Sequence, residues 1–193
     1  MAWGFFHEIG RKIIHITILV VLAAFSFIEN THGKQVALLF LVGLLILFLV
    51  LEYLRLELGW KIPLFKHFIR AKEENRMYGV VYFLAATIIS LAVFDRKIAL
   101  AALLMTTFGD MVAALVGKRY GTTLIYRNKT WAGFLGELIV NFIVGFLILD
   151  SIYVIIGMAF VATIVETMVD ELDDNLLIPL FSGFIGQIIL FSL

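Results

Sequence analysis

Seven apolar runs constrain the fold of this chain more than any other feature. They are segments 13–28, 36–53, 79–94, 98–117, 134–149, 152–167 and 176–193. Because an α-helix rises about 1.5 Å per residue, about 20 apolar residues cross a typical hydrocarbon core. Hydrophobic residues make up 62% of the chain, against about 45–50% in soluble domains. We therefore predict an all-α integral membrane protein, a bundle of about seven transmembrane helices that forms a single domain over residues 1–193.

The basic residues predict the orientation of this bundle. Twelve of the 15 Lys and Arg residues lie on the side of the N-terminus, and only Lys34, Arg96 and Lys97 lie on the other. Such an excess is typical of cytoplasmic loops, so the N-terminus and the charged face are expected in the cytoplasm. On that face, segment 61–76 has apolar residues at helical spacing among its bases, which predicts an interfacial amphipathic helix.

Charge and cysteine content exclude several classes of protein. The 15 basic and 15 acidic residues balance, so no nucleic-acid partner is expected. The chain has no cysteine, which removes disulfides, thiolate chemistry and cysteine-based metal sites. The sequence also has neither a Walker A loop nor an HExxH motif, which are the usual short signatures of ATP-binding loops and zinc proteases.

An acidic residue inside an apolar run, Asp110, is the first candidate for a functional group. A charged side chain near the bilayer centre costs about 2.5–3.5 kcal/mol on insertion scales, so such residues are usually functional. Thr106, Asp110, Ala113 and Gly117 share one helical face, as expected where a helix meets its neighbours closely or admits a ligand. The alternative is that Asp110 pairs with a base and only holds the bundle together.

The loop that follows is basic and rich in glycine. It contains Lys118, Arg119, Arg127 and Lys129, with glycines at 117, 121 and 133. Glycines let a backbone approach an anion, and Lys and Arg neutralise phosphate charge. Lys129 and Thr130 directly precede a predicted helix, whose N-terminal amides would add donors. The alternative is a basic loop that touches anionic headgroups.

A third cluster is the acidic run ETMVDELDDN at 166–175. Glu166, Asp170 and Asp174 are four residues apart, which predicts that they lie on one helical face with Asp173 beside them. Carboxylates gathered in this way repel one another unless a cation compensates, and Mg²⁺ prefers carboxylate and water oxygens. The alternative is a solvated acidic turn.

Two smaller polar groups accompany these clusters. His7, Arg11 and His15 form a stripe that enters the first span, with Lys12 beside it; His15 either donates to a phosphate or makes a core contact. Glu137 and Asn141 form a polar pair in the fifth span, which either reaches the site or joins helices by hydrogen bonds.

Together these marks resemble the CTP-dependent polyprenol kinase family, which includes dolichol kinase, phytol kinase and the CTP-dependent diacylglycerol kinase. The resemblance rests on Arg11-Lys12-x-x-His15, Arg70 and Glu73-Glu74 before Gly79, Gly109-Asp110…Gly117…Gly121, Lys129-Thr130-x-x-Gly133 and Glu166…Asp173-Asp174-Asn175…Pro179. These marks occur in matching order over most of the chain. The chain is far shorter than dolichol kinase, so only the catalytic core of that enzyme would be represented.

The resemblance implies transfer of the γ-phosphate of CTP to the hydroxyl of a membrane lipid alcohol, with Mg²⁺ as cofactor. It implies a metal and catalytic group, a nucleotide-binding group and a substrate- or phosphate-contacting group. The first is Asp110, Asp173 and Asp174, both as catalytic residues and as metal ligands, with Glu166 as a metal ligand alone; the second is Lys118, Arg119, Lys129, Thr130, Gly117, Gly121 and Gly133; the third is Arg11, Lys12, His15 and Glu74. A second copy of the chain is kept as a candidate partner beside CTP, the lipid and the bilayer.

Two rival functions remain at this point. A CTP:lipid-phosphate cytidylyltransferase also carries an Asp…Gly…Gly segment and a stretch similar to Lys129-Thr130-Trp131-x-Gly133, but its late Asp-Arg-x-Asp pattern is absent from residues 170–173. A small ion or substrate transporter is the lesser alternative. Transporters often show repeated halves, and this sequence shows none.

Overall fold

The structure is a computed structural model that describes residues 18–59, 77–169 and 172–193. The described residues form seven helices and one short hairpin. The helices are α1 (Ile18–His32), α2 (Lys34–Leu58), α3 (Gly79–Val93), α4 (Arg96–Tyr120), α5 (Trp131–Ile148), α6 (Ile152–Met168) and α7 (Asp174–Ser192). Strands β1 (Leu124–Tyr126) and β2 (Lys129–Thr130) form the hairpin between α4 and α5.

The predicted all-α membrane fold is confirmed. Four of the described helices, α2, α4, α5 and α7, are long and apolar enough to cross a membrane, and α1, α3 and α6 are shorter apolar helices. Each helix lies on one of the seven apolar runs, but most extend a few residues further because flanking polar residues can continue a helix. The number of full crossings stays a prediction. The amphipathic helix predicted at 61–76 lies outside the described residues.

The described chain divides into two compact units, and the boundary lies within α3 between Leu84 and Ala85. The single domain predicted for residues 1–193 stays a prediction.

In the first unit, a buried carboxylate joins the end of α2 to the start of α3. Glu52 is 4% exposed, and its two oxygens accept hydrogen bonds from Nε and Nη2 of Arg55 at 3.1 and 2.7 Å. The backbone N–H of Tyr78 donates to the same carboxylate at 3.3 Å. The Arg55 guanidinium lies 3.9 Å from the centroid of the Tyr78 ring. The Glu52–Arg55 ion pair therefore joins the C-terminal part of α2 to Tyr78, the residue directly before α3.

In the second unit, α4 is the central helix. It packs against α5, α6 and α7, while α6 also packs against α5 and α7. Small residues permit these contacts: a Cβ at Gly145 would lie 2.7 Å from the Ile155 side chain, and one at Gly186 would lie 2.5 Å from the Met158 sulfur. Close approach at small residues is how helices associate in lipid, where water does not drive them together.

The two ends of this second unit differ in their polar contacts. At one end, Lys97 donates to Asp150 at 2.5 Å and the Asp95 N–H donates to the side chain of Gln187 at 2.7 Å. At the other end lie the C-terminus of α4, the hairpin and the connection from α6 to α7. Most of the candidate functional residues lie at this second end.

We expect Glu52→Gln to destabilise the protein, because the half-buried Arg55 would lose the charge of the Glu52 carboxylate opposite it. Hydrogen bonds to charged groups contribute about 1.5–3 kcal/mol, so the thermal unfolding midpoint in detergent should fall measurably. Glu57→Gln is the matched control, since Glu57 is exposed on the same helix. Equal midpoints for the two variants would contradict a stabilising role for the Glu52 contacts.

Candidate active site

Asp110 lies on the central helix α4 and is 6% exposed. The preceding threonines satisfy their own hydroxyls within the helix: Thr106 donates to the Ala102 carbonyl at 2.8 Å and Thr107 to the Leu103 carbonyl at 2.9 Å. These bonds remove the cost of burying two hydroxyl groups among apolar helices. Asp110 lies ten residues before the helix end at Tyr120, about 15 Å at the usual rise per residue.

Two further carboxylates come from the junction of α6 and α7. Glu166 is 2% exposed near the end of α6, and Asp174 is the first residue of α7. The positive end of the helix dipole favours a carboxylate at that position. The prediction that Glu166, Asp170 and Asp174 share one helical face is wrong, because α6 ends at Met168 and α7 begins at Asp174. Asp170 itself lies outside the described residues.

These carboxylates meet in the folded chain. One oxygen each from Asp110, Glu166 and Asp174 lies within 4.8 Å of the other two. We call these residues the acidic triad. Asp173, predicted to act as a metal ligand, is not part of it. Its Oδ1 instead accepts hydrogen bonds from the N–H and side-chain amide of Asn175 at 3.0 and 2.8 Å, as the N-cap of α7.

Lys129 is the base that faces the acidic triad. Its Nζ donates to both oxygens of Glu166, at 2.6 and 2.5 Å. Burial alone would lower the pKa of Lys129, but attraction to Glu166, then to Asp174 and Asp110, outweighs burial and raises the pKa above its ordinary value of 10.5. Lys129 therefore stays positively charged at physiological pH. Because the side chain stands on a short strand beside the triad, it supplies a fixed ammonium group there.

The hairpin that carries Lys129 was not predicted from the sequence. Leu124 pairs with Thr130 and Tyr126 with Lys129 in antiparallel register, and the turn between them requires Arg127 to adopt a φ of 45°. The basic residues and glycines suggested only a loop. Tertiary contact with the helix ends decides this local structure, since a hairpin this short is marginal by itself.

Thr130 joins the hairpin to the helices. Its Oγ1 caps α5 by accepting from the Gly133 N–H at 3.2 Å. A Cβ at Gly117 would lie 3.1 Å from the same oxygen, and a Cβ at Gly121 would lie 2.5 Å from it. A Cβ at Gly133 would lie 2.8 Å from the Ala113 carbonyl oxygen. The glycines thus allow close contact between α4, α5 and Thr130, as the small face of α4 predicts.

The remaining bases of the predicted nucleotide-binding group lie at the surface. Lys118 and Arg119 are exposed in the last turn of α4, and Arg119 Nε donates to the Tyr120 hydroxyl at 3.3 Å. Positive charge near a helix C-terminus is favourable, which is one reason for this placement. The predicted substrate-contacting residues all lie outside the described residues: Arg11, Lys12, His15 and Glu74.

The predicted polar pair Glu137 and Asn141 lies buried between helices. Asn141 Nδ2 donates to Glu137 Oε1 at 3.4 Å and to Thr163 Oγ1 on α6 at 3.0 Å. Sequence reasoning missed Thr163, although its position three residues before Glu166 places both on one face of α6.

The donor set of the acidic triad fits a divalent metal ion. Its three carboxylates face one ammonium group from Lys129, which leaves two negative charges when all four groups are ionised. Two of the three carboxylates are buried, where uncompensated charge is costly. Hard cations such as Mg²⁺ bind carboxylate oxygens, so the charge and the chemistry of the residues agree with such an ion.

Comparison with known proteins identifies relatives along most of the chain. CTP-dependent diacylglycerol kinase 1 of Eremothecium gossypii is 31% identical over 71% of this chain and 44% of that protein. CTP-dependent diacylglycerol kinase 1 of Schizosaccharomyces pombe is 26% identical over 97% of this chain and 96% of that protein. The chloroplastic phytol kinase 1 of Arabidopsis thaliana is 28% identical over 90% of this chain and 64% of that protein.

The chain belongs to the family of CTP-dependent lipid kinases. The family predicted from the sequence motifs is thereby confirmed. The chain spans less than half the length of the Eremothecium gossypii protein and of its Saccharomyces cerevisiae counterpart. No family model matches the chain, and no solved structure matches it.

We expect Gly133→Ala to destabilise the protein. The new Cβ would lie 2.8 Å from the Ala113 carbonyl oxygen, so α4 and α5 would have to separate, and overpacking of this kind costs about 1–3 kcal/mol. Gly43→Ala is the matched control, because a Cβ at Gly43 on α2 meets nothing within 4 Å. Alanine in a helix is favoured over glycine by up to about 1 kcal/mol.

Unfolding midpoints in detergent distinguish these two glycines. The midpoint should fall for Gly133→Ala and should stay or rise for Gly43→Ala. Equal midpoints would show that α4 and α5 do not approach as closely as the contact at Gly133 requires.

Proposed function

We propose that this protein is a CTP-dependent lipid kinase, which transfers the γ-phosphate of CTP to the hydroxyl group of a membrane lipid alcohol. The observation that supports this most directly is the acidic triad with Lys129 beside it, since phosphoryl transfer depends mainly on positioning and on charge stabilisation. The relatives named as CTP-dependent diacylglycerol kinases and as phytol kinases support the choice of nucleotide and of acceptor class.

In this proposal Asp110, Glu166 and Asp174 hold Mg²⁺. When bound, the ion neutralises charge on the transferred phosphoryl group and on the leaving phosphate oxygens. Asp174 stands at the N-terminus of α7, where the helix dipole favours negative charge. Asp173 contributes indirectly, because it caps this same helix.

The triphosphate of CTP would be bound by the bases and the glycine-lined hairpin. Lys129 lies beside the triad, and Lys118 and Arg119 lie exposed at the end of α4. Gly117, Gly121 and Gly133 keep the backbone close around Thr130, and the Thr130 hydroxyl adds a donor that suits phosphate oxygens. Lys129 is paired with Glu166 in this structure, so it would balance the charge of the triad and of the nucleotide together.

The lipid would enter from the bilayer with its hydroxyl at the level of the triad, on the cytoplasmic side that the distribution of bases predicts. The hydroxyl oxygen then forms a bond to the γ-phosphorus while the bond from that phosphorus to the β–γ bridging oxygen breaks. CDP leaves with that oxygen, and the hydroxyl proton passes to a carboxylate of the site. Apolar helices that lie in lipid are well suited to an acceptor that is itself a membrane lipid.

A cytidylyltransferase is the second candidate, because residues 129–133 resemble the corresponding stretch of those enzymes. It would use the same metal and the same nucleotide. The two reactions differ in the phosphorus atom that is attacked: the γ-phosphorus in the kinase, and the α-phosphorus in the cytidylyltransferase.

Labelled CTP tests the proposed reaction. Purified protein in detergent micelles is incubated with Mg²⁺ and with diacylglycerol, phytol or a polyprenol, and the lipids are separated by thin-layer chromatography. We expect label from γ-³²P-CTP, and none from α-³²P-CTP, in the lipid product. Label from α-³²P-CTP in lipid, given a lipid phosphate as acceptor, would establish the cytidylyltransferase instead.

The adjacent residues Asp173 and Asp174 allow a matched test of the metal ligands. We expect Asp174→Asn to lower kcat at least about 100-fold, because an amide lacks the charge that binds the ion, and electrostatic groups of this kind contribute on that order. Asp173→Asn should keep activity within about tenfold, because Asn is as good an N-cap as Asp. Asp110→Asn should behave as Asp174→Asn does.

Steady-state kinetics at several Mg²⁺ concentrations check this order of effects. Greater loss in Asp173→Asn than in Asp174→Asn would contradict the triad as the metal site and would favour Asp173 as a ligand.

A further inference from the structure

The side chain of Asn141 contacts both α4 and α6, the helices that carry the two buried carboxylates of the acidic triad. Asn141 on α5 is fully buried. On one side its amide donates to Thr163 of α6, three residues before Glu166. On the other side it faces Gly109 of α4, where a Cβ would lie 2.8 Å from Asn141 Oδ1. Gly109 directly precedes Asp110.

The hydrogen bonds determine how the Asn141 amide is oriented. The Thr163 hydroxyl donates its proton to the Ala159 carbonyl at 2.9 Å, so Thr163 Oγ1 must act as the acceptor toward Asn141. The NH₂ group therefore points to α6 and to Glu137 Oε1, and the carbonyl oxygen of the amide points to α4. That oxygen is buried and has no hydrogen-bond partner among the described residues.

Stability alone is a poor explanation for this arrangement. Hydrogen bonds between helices in membranes contribute about 0.6 kcal/mol on average. A buried polar atom left without a partner costs about 1–3 kcal/mol, so Asn141 gives little or no net stabilisation. An apolar side chain of similar volume at this position would pack between the helices without that cost. A role in geometry explains the contacts better.

We propose that Asn141, together with Thr163 and Gly109, is a positioning residue that sets the separation of the Asp110 and Glu166 carboxylates for the metal ion. This inference rests on the metal site of the proposed function. Mg²⁺ requires ligand oxygens at about 2.0–2.1 Å in near-octahedral geometry, so a shift of a few tenths of an ångström between α4 and α6 matters. Residues that orient metal ligands typically change metal affinity 10–100-fold when substituted.

The test measures metal binding directly, without turnover. Mn²⁺ is titrated into the protein in detergent, in the absence of nucleotide, and free Mn²⁺ is followed by electron paramagnetic resonance. The variants are Asn141→Leu, which keeps the number and branching of the side-chain heavy atoms and removes both donated hydrogen bonds, Thr163→Val, which removes the acceptor, and Thr163→Ser, which restores it. Ser182→Ala is the matched control, since Ser182 is fully buried on α7 and, among the residues that the structure describes, bonds only to the Ile178 carbonyl of its own helix.

We expect the Mn²⁺ dissociation constant to rise about tenfold or more in Asn141→Leu and Thr163→Val. Thr163→Ser and Ser182→Ala should stay within about twofold of the wild type, and all four should unfold within a few degrees of one another. Unchanged Mn²⁺ affinity in Asn141→Leu would overturn the positioning role and leave the metal site intact. If Asn141→Leu does not fold, the two Thr163 variants test the positioning role instead. Equal Mn²⁺ affinity in Thr163→Val and Thr163→Ser would then overturn it.

Two other outcomes are also decisive. Weaker Mn²⁺ binding that tracks an equal fall in the unfolding midpoint across the variants would overturn the positioning role in favour of a structural one. Absence of Mn²⁺ binding to the wild type, with Asp110→Asn indistinguishable from it, would remove the metal site and with it both proposals.

Discussion

The attraction between one lysine and three gathered carboxylates is the interaction on which the site depends. Asp110 and Glu166 are buried among apolar helices, where an isolated ionised group costs several kcal/mol. A hydrogen bond between charged groups, such as that from Lys129 to Glu166, returns about 1.5–3 kcal/mol. One ammonium group therefore offsets only part of the cost of the triad. The remaining negative charge is what makes a divalent cation a fitting partner.

The architecture of the second unit brings these charged groups together from separate helices. Helices α4, α6 and α7 each supply one carboxylate, and the hairpin before α5 supplies the lysine. Glycines at the contacts of α4 with α5 and Thr130 let the backbones approach closely enough. Helix ends add their own electrostatics, since Asp174 begins α7 and the bases Lys118 and Arg119 end α4. Charge and packing thus favour the same arrangement.

Sequence patterns were informative where a property is local. Apolar runs marked the helices because lipid demands apolar surface over a fixed length. The spacing from Thr106 to Gly117 marked the face of α4 that meets its neighbours, and Lys129-Thr130 marked the start of α5. The interpretation of residues 166–174 as one helix was wrong, because periodicity alone does not show where a chain turns. The N-cap formed by Asp173 was not predicted either, because an acidic residue near a helix start can be a metal ligand or a cap, and the sequence does not distinguish the two.

Long-range contacts decided the rest. Nothing in the spacing of Lys129 and Glu166 indicates that the two side chains touch across 37 residues. Likewise, the hydrogen bond from Asn141 to Thr163 depends on the packing of α5 against α6, which the sequence does not indicate. Family resemblance helped here, because matching order along the chain indicated that the separate motifs act together.

By itself the sequence determined that the protein lies in lipid, where its helices are and which charged groups it carries. These properties depend on composition and on patterns that repeat every few residues. Only the tertiary structure decided which of the neighbouring carboxylates faces the lysine and which caps a helix. The reason is physical: a difference of one residue at a helix start turns a side chain by about 100°, and only packing between helices determines where that start lies.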